Sequence, residues 1–167
     1  MLSNITRSLF RLAMLTCCVN LFQGLGETYA VNGLTLVDAS FASRIVGPEP
    51  SRVSQSVRVG SLEDSRLWFW LHVSCTGECE QKIAQKGHVK IFLDWYLEED
   101  GILKKQASLP LNVKASTWRT WAVKRVKPGA WVVVVRAEDS QWVCLKDRCD
   151  FAIEVKDGRK KSTAGHR

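Results

Sequence analysis

From Arg66 to Ser74 the chain reads Arg-Leu-Trp-Phe-Trp-Leu-His-Val-Ser, and no other stretch limits the accessible folds as strongly. Successive side chains of a β-strand point to opposite faces. Leu67, Phe69, Leu71 and Val73 therefore share one side, and Trp68, Trp70 and His72 share the other. Apolar side chains on both faces predict a strand that is central or covered on both sides. The aliphatic and Phe face is the better candidate for the core, which leaves the Trp68, Trp70 and His72 face under a covering loop or in an open groove.

The rest of the chain carries the same period in short pieces. Thr35–Ala42, Val53–Val59, His88–Leu97, Ile102–Val113, Ser116–Val123, Trp131–Arg136 and Asp150–Val155 read as strands, with Gln141–Cys144 pairing back on the run before it. Ile102–Val113 reads either as one strand or as two halves around Pro110. Turn signals separate the strands: Gly47-Pro48-Glu49-Pro50, Glu98-Glu99-Asp100-Gly101, whose Asp-Gly end favours positive φ, and Lys127-Pro128-Gly129-Ala130. The segment Gln81–Gln85 has room for a helical turn, and no long amphipathic helix is evident. The expectation is an all-β fold, an immunoglobulin-like or fibronectin-like β-sandwich of about seven or eight short antiparallel strands.

With 167 residues, 46% apolar and 25% charged, the chain fits one globular domain. Residues 1–30 read as a signal peptide: Arg7 and Arg11 are basic, Leu12–Leu25 is mostly apolar, and Thr28-Tyr29-Ala30 offers small residues for cleavage after Ala30. That apolar stretch is short for a membrane span, which takes about 20 residues. An uncleaved anchor is the competing reading. Leu15-Thr16 before Cys17 makes a poor lipidation context. The expected organisation is a signal peptide (1–30), one sandwich domain (31–156) and a basic, disordered tail (157–167), with no transmembrane span after cleavage. The expected location is periplasmic or extracellular. The net charge of +7 is partly concentrated in the tail, and export makes nucleic acid a poor partner.

Four cysteines remain after such cleavage, and an oxidising compartment favours disulfides. Spacing favours Cys75–Cys79 and Cys144–Cys149 among the three connectivities. A four-thiolate zinc site is the alternative, but Cys-x3-Cys with Cys-x4-Cys matches common zinc ribbons poorly. No metal and no cofactor are expected.

Catalytic signatures are missing. The chain has no Gly-x-Ser-x-Gly elbow, no His-Glu-x-x-His helix and no phosphate-cradling glycine loop, and Glu98-Glu99-Asp100 lacks calcium-loop spacing. The expectation is a non-enzymatic binding or structural module of the cell envelope, with an envelope protein or a polysaccharide as partner. The alternative is a hydrolase or enzyme accessory domain with His72 beside an aromatic cleft. Seven tryptophans direct attention to aromatic contacts. The tentative binding residues are Trp68, Trp70, His72, Arg119 and Trp121. Arg119 has two readings, stacking on a neighbouring ring or pairing with an anionic group. Trp118 and Trp131 read as core anchors.

Several of these features occur together in one bacterial family. Glu49-Pro50, Leu67-Trp68-Phe69-Trp70, Trp95-Tyr96 before an acidic-Gly turn, Trp118-Arg119-Thr120-Trp121, Gly129-x-Trp131 and Phe151 to Val155 resemble the family known as domain of unknown function 2914. The tryptophan signature followed by Gly-x-Trp is the most specific part. Leu93 and Ala122 stand where the family often has His and Ser, so no role of those polar groups carries over. The resemblance implies an exported or membrane-attached β-sandwich-like domain and no known activity.

Overall fold

The computed structural model describes residues 32–46, 49–53, 56–59, 65–139, 141–146 and 148–158. The proposed signal peptide and nearly all of the basic tail lie outside them. The described residues form nine strands and one helix: β1 (Leu34–Val46), β2 (Glu49–Val53), β3 (Ser56–Val59), β4 (Arg66–Cys75), α1 (Glu78–Lys86), β5 (Val89–Glu99), β6 (Ile102–Val113), β7 (Thr117–Arg125), β8 (Gly129–Ala137) and β9 (Asp150–Asp157). None of the described helices is long and apolar enough to cross a membrane.

Two sheets face each other, ordered β2-β1-β4-β7 and β3-β9-β8-β5-β6. This is an immunoglobulin-like sandwich. β1, β4 and β7 take the places of strands A, B and E of that fold, and β5, β8 and β9 those of C, F and G. The chain crosses early from one sheet to the other, because β2 pairs with β1 while β3 runs parallel to the last strand, β9. That parallel pair and the ninth strand are two departures from the sequence expectation. β2 and β3 are short segments on either side of a crossing, and local alternation does not separate them.

β4 is central, as its two apolar faces require. Leu67, Phe69, Leu71 and Val73 point into the sandwich, each fully buried. Trp95 of β5 occupies the middle of the core. Its ring lies edge-on to Phe41 (6.2 Å), Phe69 (6.3 Å) and Trp131 (6.4 Å), so it touches side chains from both sheets. A buried tryptophan on this strand is a hallmark of the fold. Trp131 is also buried and donates its indole N–H to the Lys127 carbonyl at 2.9 Å. Trp118 packs against the core from the inner face of β7.

Other sequence readings resolve for physical reasons. Pro110 does not split β6, because β6 is an edge strand and a missing N–H costs nothing on the open side. Asp100 and Gly101 both have positive φ (56° and 78°) in the two-residue β5–β6 turn. The helical turn near Gln81 is longer than expected, nine residues, and ends at Gly87 in the left-handed conformation, with its N–H on the Ile83 carbonyl at 2.8 Å. Residues 141–144 form no strand. They hold to β8 through an isolated bridge between Arg136 and Trp142 and through Val143 N–H to the Val135 carbonyl.

Cys75 is bonded to Cys79, and Cys144 to Cys149. The first bond clips the end of β4 to α1. The second closes a tight turn ahead of β9, where Leu145 and Arg148 exchange backbone hydrogen bonds. Loops this short constrain little of the unfolded chain. Replacing Cys144 and Cys149 together by serine should cost about 2 kcal/mol in denaturant unfolding and leave the β-sheet circular dichroism in place. Complete loss of the sheet signal would contradict that reading.

Candidate functional site

The five tentative binding residues fall on one surface, the outer face of the four-stranded sheet. β4 and β7 run antiparallel in unbroken register, which sets Trp68 opposite Val123, Trp70 opposite Trp121, and His72 opposite Arg119. Direct partners of this kind have Cβ atoms about 4.5–5.5 Å apart, close enough for the side chains to meet. On the other side, β1 sets Ser40 beside Trp70 and Asp38 beside His72.

Burial on this face is uneven. Trp70 is almost completely covered at 2% exposure, whereas Trp121 and Val123 on β7 are each 41% exposed. Trp68 and His72 are half-buried. The accessible apolar surface is therefore the β7 side of the sheet, not the β4 side that alternation first suggests. Trp70 serves as its floor.

The cation on Trp70 is Arg52, so of the two readings of Arg119 ring stacking is the one the structure does not show. Arg52 of β2 places its guanidinium 5.6 Å from the Trp70 ring centroid and forms a two-pronged pair with the Asp38 carboxylate. Arg119 stacks on no ring among the described residues. It is exposed and has no ion-pair partner among the described residues, and the same holds for Arg125 and Arg66, which face each other across β4 and β7. Arg52 was missed because only the β1–β2 register brings it here, through Ala42 opposite Arg52.

His72 lies next to Trp70, with ring centroids 6.4 Å apart. Its Nε2 and the Ser40 Oγ are buried without a hydrogen-bond partner. An acid–base pair needs an imidazole bonded to a carboxylate. Asp38 is in register with His72, but its carboxylate is held by Arg52.

Two other polar clusters differ in character. On the outer face of the five-stranded sheet, Asp94 is 3% exposed and accepts hydrogen bonds from Arg136 Nε (3.0 Å) and Ser108 Oγ, with Lys105 Nζ at 3.0 Å. Arg136 also lies over the Phe92 ring at 4.7 Å. Burial raises the Asp94 carboxyl, but the bonds from Arg136, Ser108 and Lys105 outweigh it and hold the group below its ordinary range. Every oxygen is engaged, which is the arrangement of a structural ion cluster.

The second cluster lines a cleft of about 240 Å³ at one end of the sandwich, between α1 and the turn after β8. Lys82, Lys86 and His88 face Glu138 and Asp139 there, and Asn32 donates to Asp139 at 2.7 Å. The cleft is smaller than the roughly 300 Å³ at which small-molecule pockets begin. Of the acidic turn Glu98-Glu99-Asp100, Glu99 is tied to Lys127 (2.7 Å) and Lys104 (3.0 Å), and these lysines hold its carboxyl below the ordinary range.

The molecule is thus an immunoglobulin-like β-sandwich with two short-range disulfides and an aromatic, cationic outer face. Residues 88–144 match the family described as protein of unknown function (DUF2914), the family the sequence features resemble. No curated protein matches the chain in sequence. Among solved structures, it is similar to the extracellular domain of a one-component system from B. thetaiotaomicron, at 11% identity and a TM-score of 0.33. That match covers 76% of this chain, which spans only 16% of the other's length. An immunoglobulin-like protein from Pseudomonas aeruginosa matches at 11% identity and a TM-score of 0.37, covering 74% of this chain and 96% of its own.

Proposed function

We propose that the chain is an exported, non-enzymatic binding module of the bacterial cell envelope, and that it binds through the outer face of the four-stranded sheet. One observation carries this reading. An exposed tryptophan and valine lie side by side on β7 between two arginines that have no ion-pair partner among the described residues. Aromatic and arginine side chains dominate the energetics of binding surfaces, and a flat sheet face suits a macromolecule better than a small molecule. The two disulfides support an oxidising compartment, in agreement with the signal-peptide reading of residues 1–30. The engagement of Asp38 by Arg52 supports a role for His72 other than hydrolysis.

The test is capture of ligand from an envelope extract, in parallel with a glycan array, using wild type and Trp121→Ala. Trp121→Ala should lower retention of the specific ligand at least tenfold while leaving the unfolding midpoint nearly unchanged, since the ring is largely outside the core. Full retention by Trp121→Ala would move the site elsewhere.

A further inference from the structure

The partner's class follows from how the four sheet edges differ. Native sheets protect exposed edges with proline, bulges, short strands or charge, because an open edge recruits other strands. β2 is five residues long, contains Pro50 and pairs across a bulge. β3 is four residues long. β6 carries Pro110, Lys104 and Lys105, and its pairing with β5 shifts register at Trp95/Tyr96. β7 has no proline, no bulge and no shortness to protect it, and its only defence is charge, from Arg119, Lys124 and Arg125. It is nine residues long, lacks proline and keeps continuous register with β4 from Arg66↔Arg125 to Ser74↔Thr117. Among the described residues its other side pairs with no strand.

The side chains on that edge repeat at the period of a strand. Arg119, Trp121, Val123 and Arg125 occupy alternate positions on the outer face, all exposed, in the order cation, apolar, apolar, cation. At roughly 3.4 Å per residue, the two arginines are about 20 Å apart. A second copy of the chain is a poor match in the register that pairs its apolar residues. Antiparallel self-pairing centred on Ala122 sets Trp121 against Val123, but it also sets Arg119 of one copy against Arg125 of the other, and like charges directly opposite repel. An acidic strand removes that repulsion and keeps the apolar match.

Building on the outer-face reading above, we propose that β7 is a docking edge for an extended acidic peptide segment. The segment adds to the sheet as a fifth strand, with carboxylates opposite Arg119 and Arg125 and two apolar residues beside Trp121 and Val123. Main-chain hydrogen bonds give such strand addition its affinity, and alternate side chains give it selectivity.

The test uses the full chain and a labelled nine-residue probe peptide. Its second, fourth, sixth and eighth residues are Glu, Val, Val and Glu, with Thr elsewhere, so that it matches β7 in either direction. Fluorescence anisotropy should show saturable binding. Arg119→Glu should weaken binding roughly tenfold, and a probe with Lys in place of one Glu, the other Glu kept for Arg125, should restore it to that variant. N-methylation of backbone amides on both edges of the probe, which can pair in either direction, should abolish binding. Equal binding of the N-methylated probe, or of a probe with Thr in place of both Glu residues, would overturn the proposal. Trp121-dependent binding of polygalacturonate without binding of any peptide would also overturn it, yet leave the outer face as the binding surface. A peptide that binds equally to wild type and Trp121→Ala would remove both.

Discussion

Trp95→Ala should destabilise the domain by about 3–5 kcal/mol, a large share of the 5–15 kcal/mol that usually separates a folded domain from its unfolded chain. The reason is position more than size. Trp95 has no exposed surface, and its ring meets Phe41 and Phe69 of one sheet and Trp131 of the other. Truncation removes a central aromatic contact between the two layers, beside that of Phe69 with Phe151, and rigid strands on both sides cannot close the space. Trp95→Phe should cost much less, about 1–2 kcal/mol, because it keeps most of the volume and removes the indole N–H, which has no partner in the core. Trp142→Ala, at a site 59% exposed, should fall within about 0.5 kcal/mol of wild type. Urea unfolding followed by circular dichroism ranks the three variants. A Trp95→Ala loss near that of Trp142→Ala would show that the sandwich does not depend on this contact.

The second large effect is at Asp94. Asp94→Ala leaves the Arg136 guanidinium and the Lys105 ammonium beside a hole where their carboxylate was, and because water still reaches both cations the loss should be about 1–3 kcal/mol. Substituting the pair together, as Asp94→Leu with Arg136→Met, should recover most of that loss, since the site then holds no charge needing compensation from Asp94. The pH dependence has a definite sign. The folded-state carboxyl is depressed, so its stabilisation is present above the unfolded value of about 4 and disappears as pH falls through the folded value. Wild type should therefore lose stability in the acid range below about pH 4. Asp94→Asn should start less stable at pH 7 and show a shallower acid decline. Parallel acid profiles for the two proteins would mean that Asp94 is not the group responsible.

Much of this architecture is legible in the amino-acid sequence. The alternation through Leu67–Val73 marks the core face of β4, and the Asp100-Gly101 turn announces the β5–β6 hairpin, because both are local: one depends on strand period and the other on backbone φ. The five tentative binding residues share a face for the same reason, since each lies on the outward period of its own strand. What escaped the sequence was register. No local signal says that Arg52 belongs over Trp70, that Arg66 meets Arg125, or that β3 lies parallel to β9. Arg119 shows the consequence. Stacking on a flanking tryptophan is one of the two readings of Arg119, but Trp118 faces inward and Trp121 is next along the outer face, so the stacking position over Trp70 goes to a residue from another strand. Asp94 was overlooked because a single carboxylate among Leu93 and Trp95 looks like the polar beat of a strand, and its three donors come from β6 and β8.

The parallel pairing of β3 with β9 also sets a schedule for folding. The two strands are on the order of a hundred residues apart in the chain, and β8 needs β9 on its open side as well. A polypeptide that emerges amino end first can assemble β4 through β7 from neighbours already present, while β3 waits for the closing strand. Contacts over such spans slow folding, since the loop must close before it is rewarded. The finished sandwich is therefore a record that the whole domain has emerged, and a chain interrupted before Asp150 keeps two unfinished sheet margins open to capture by other strands or by quality-control proteases.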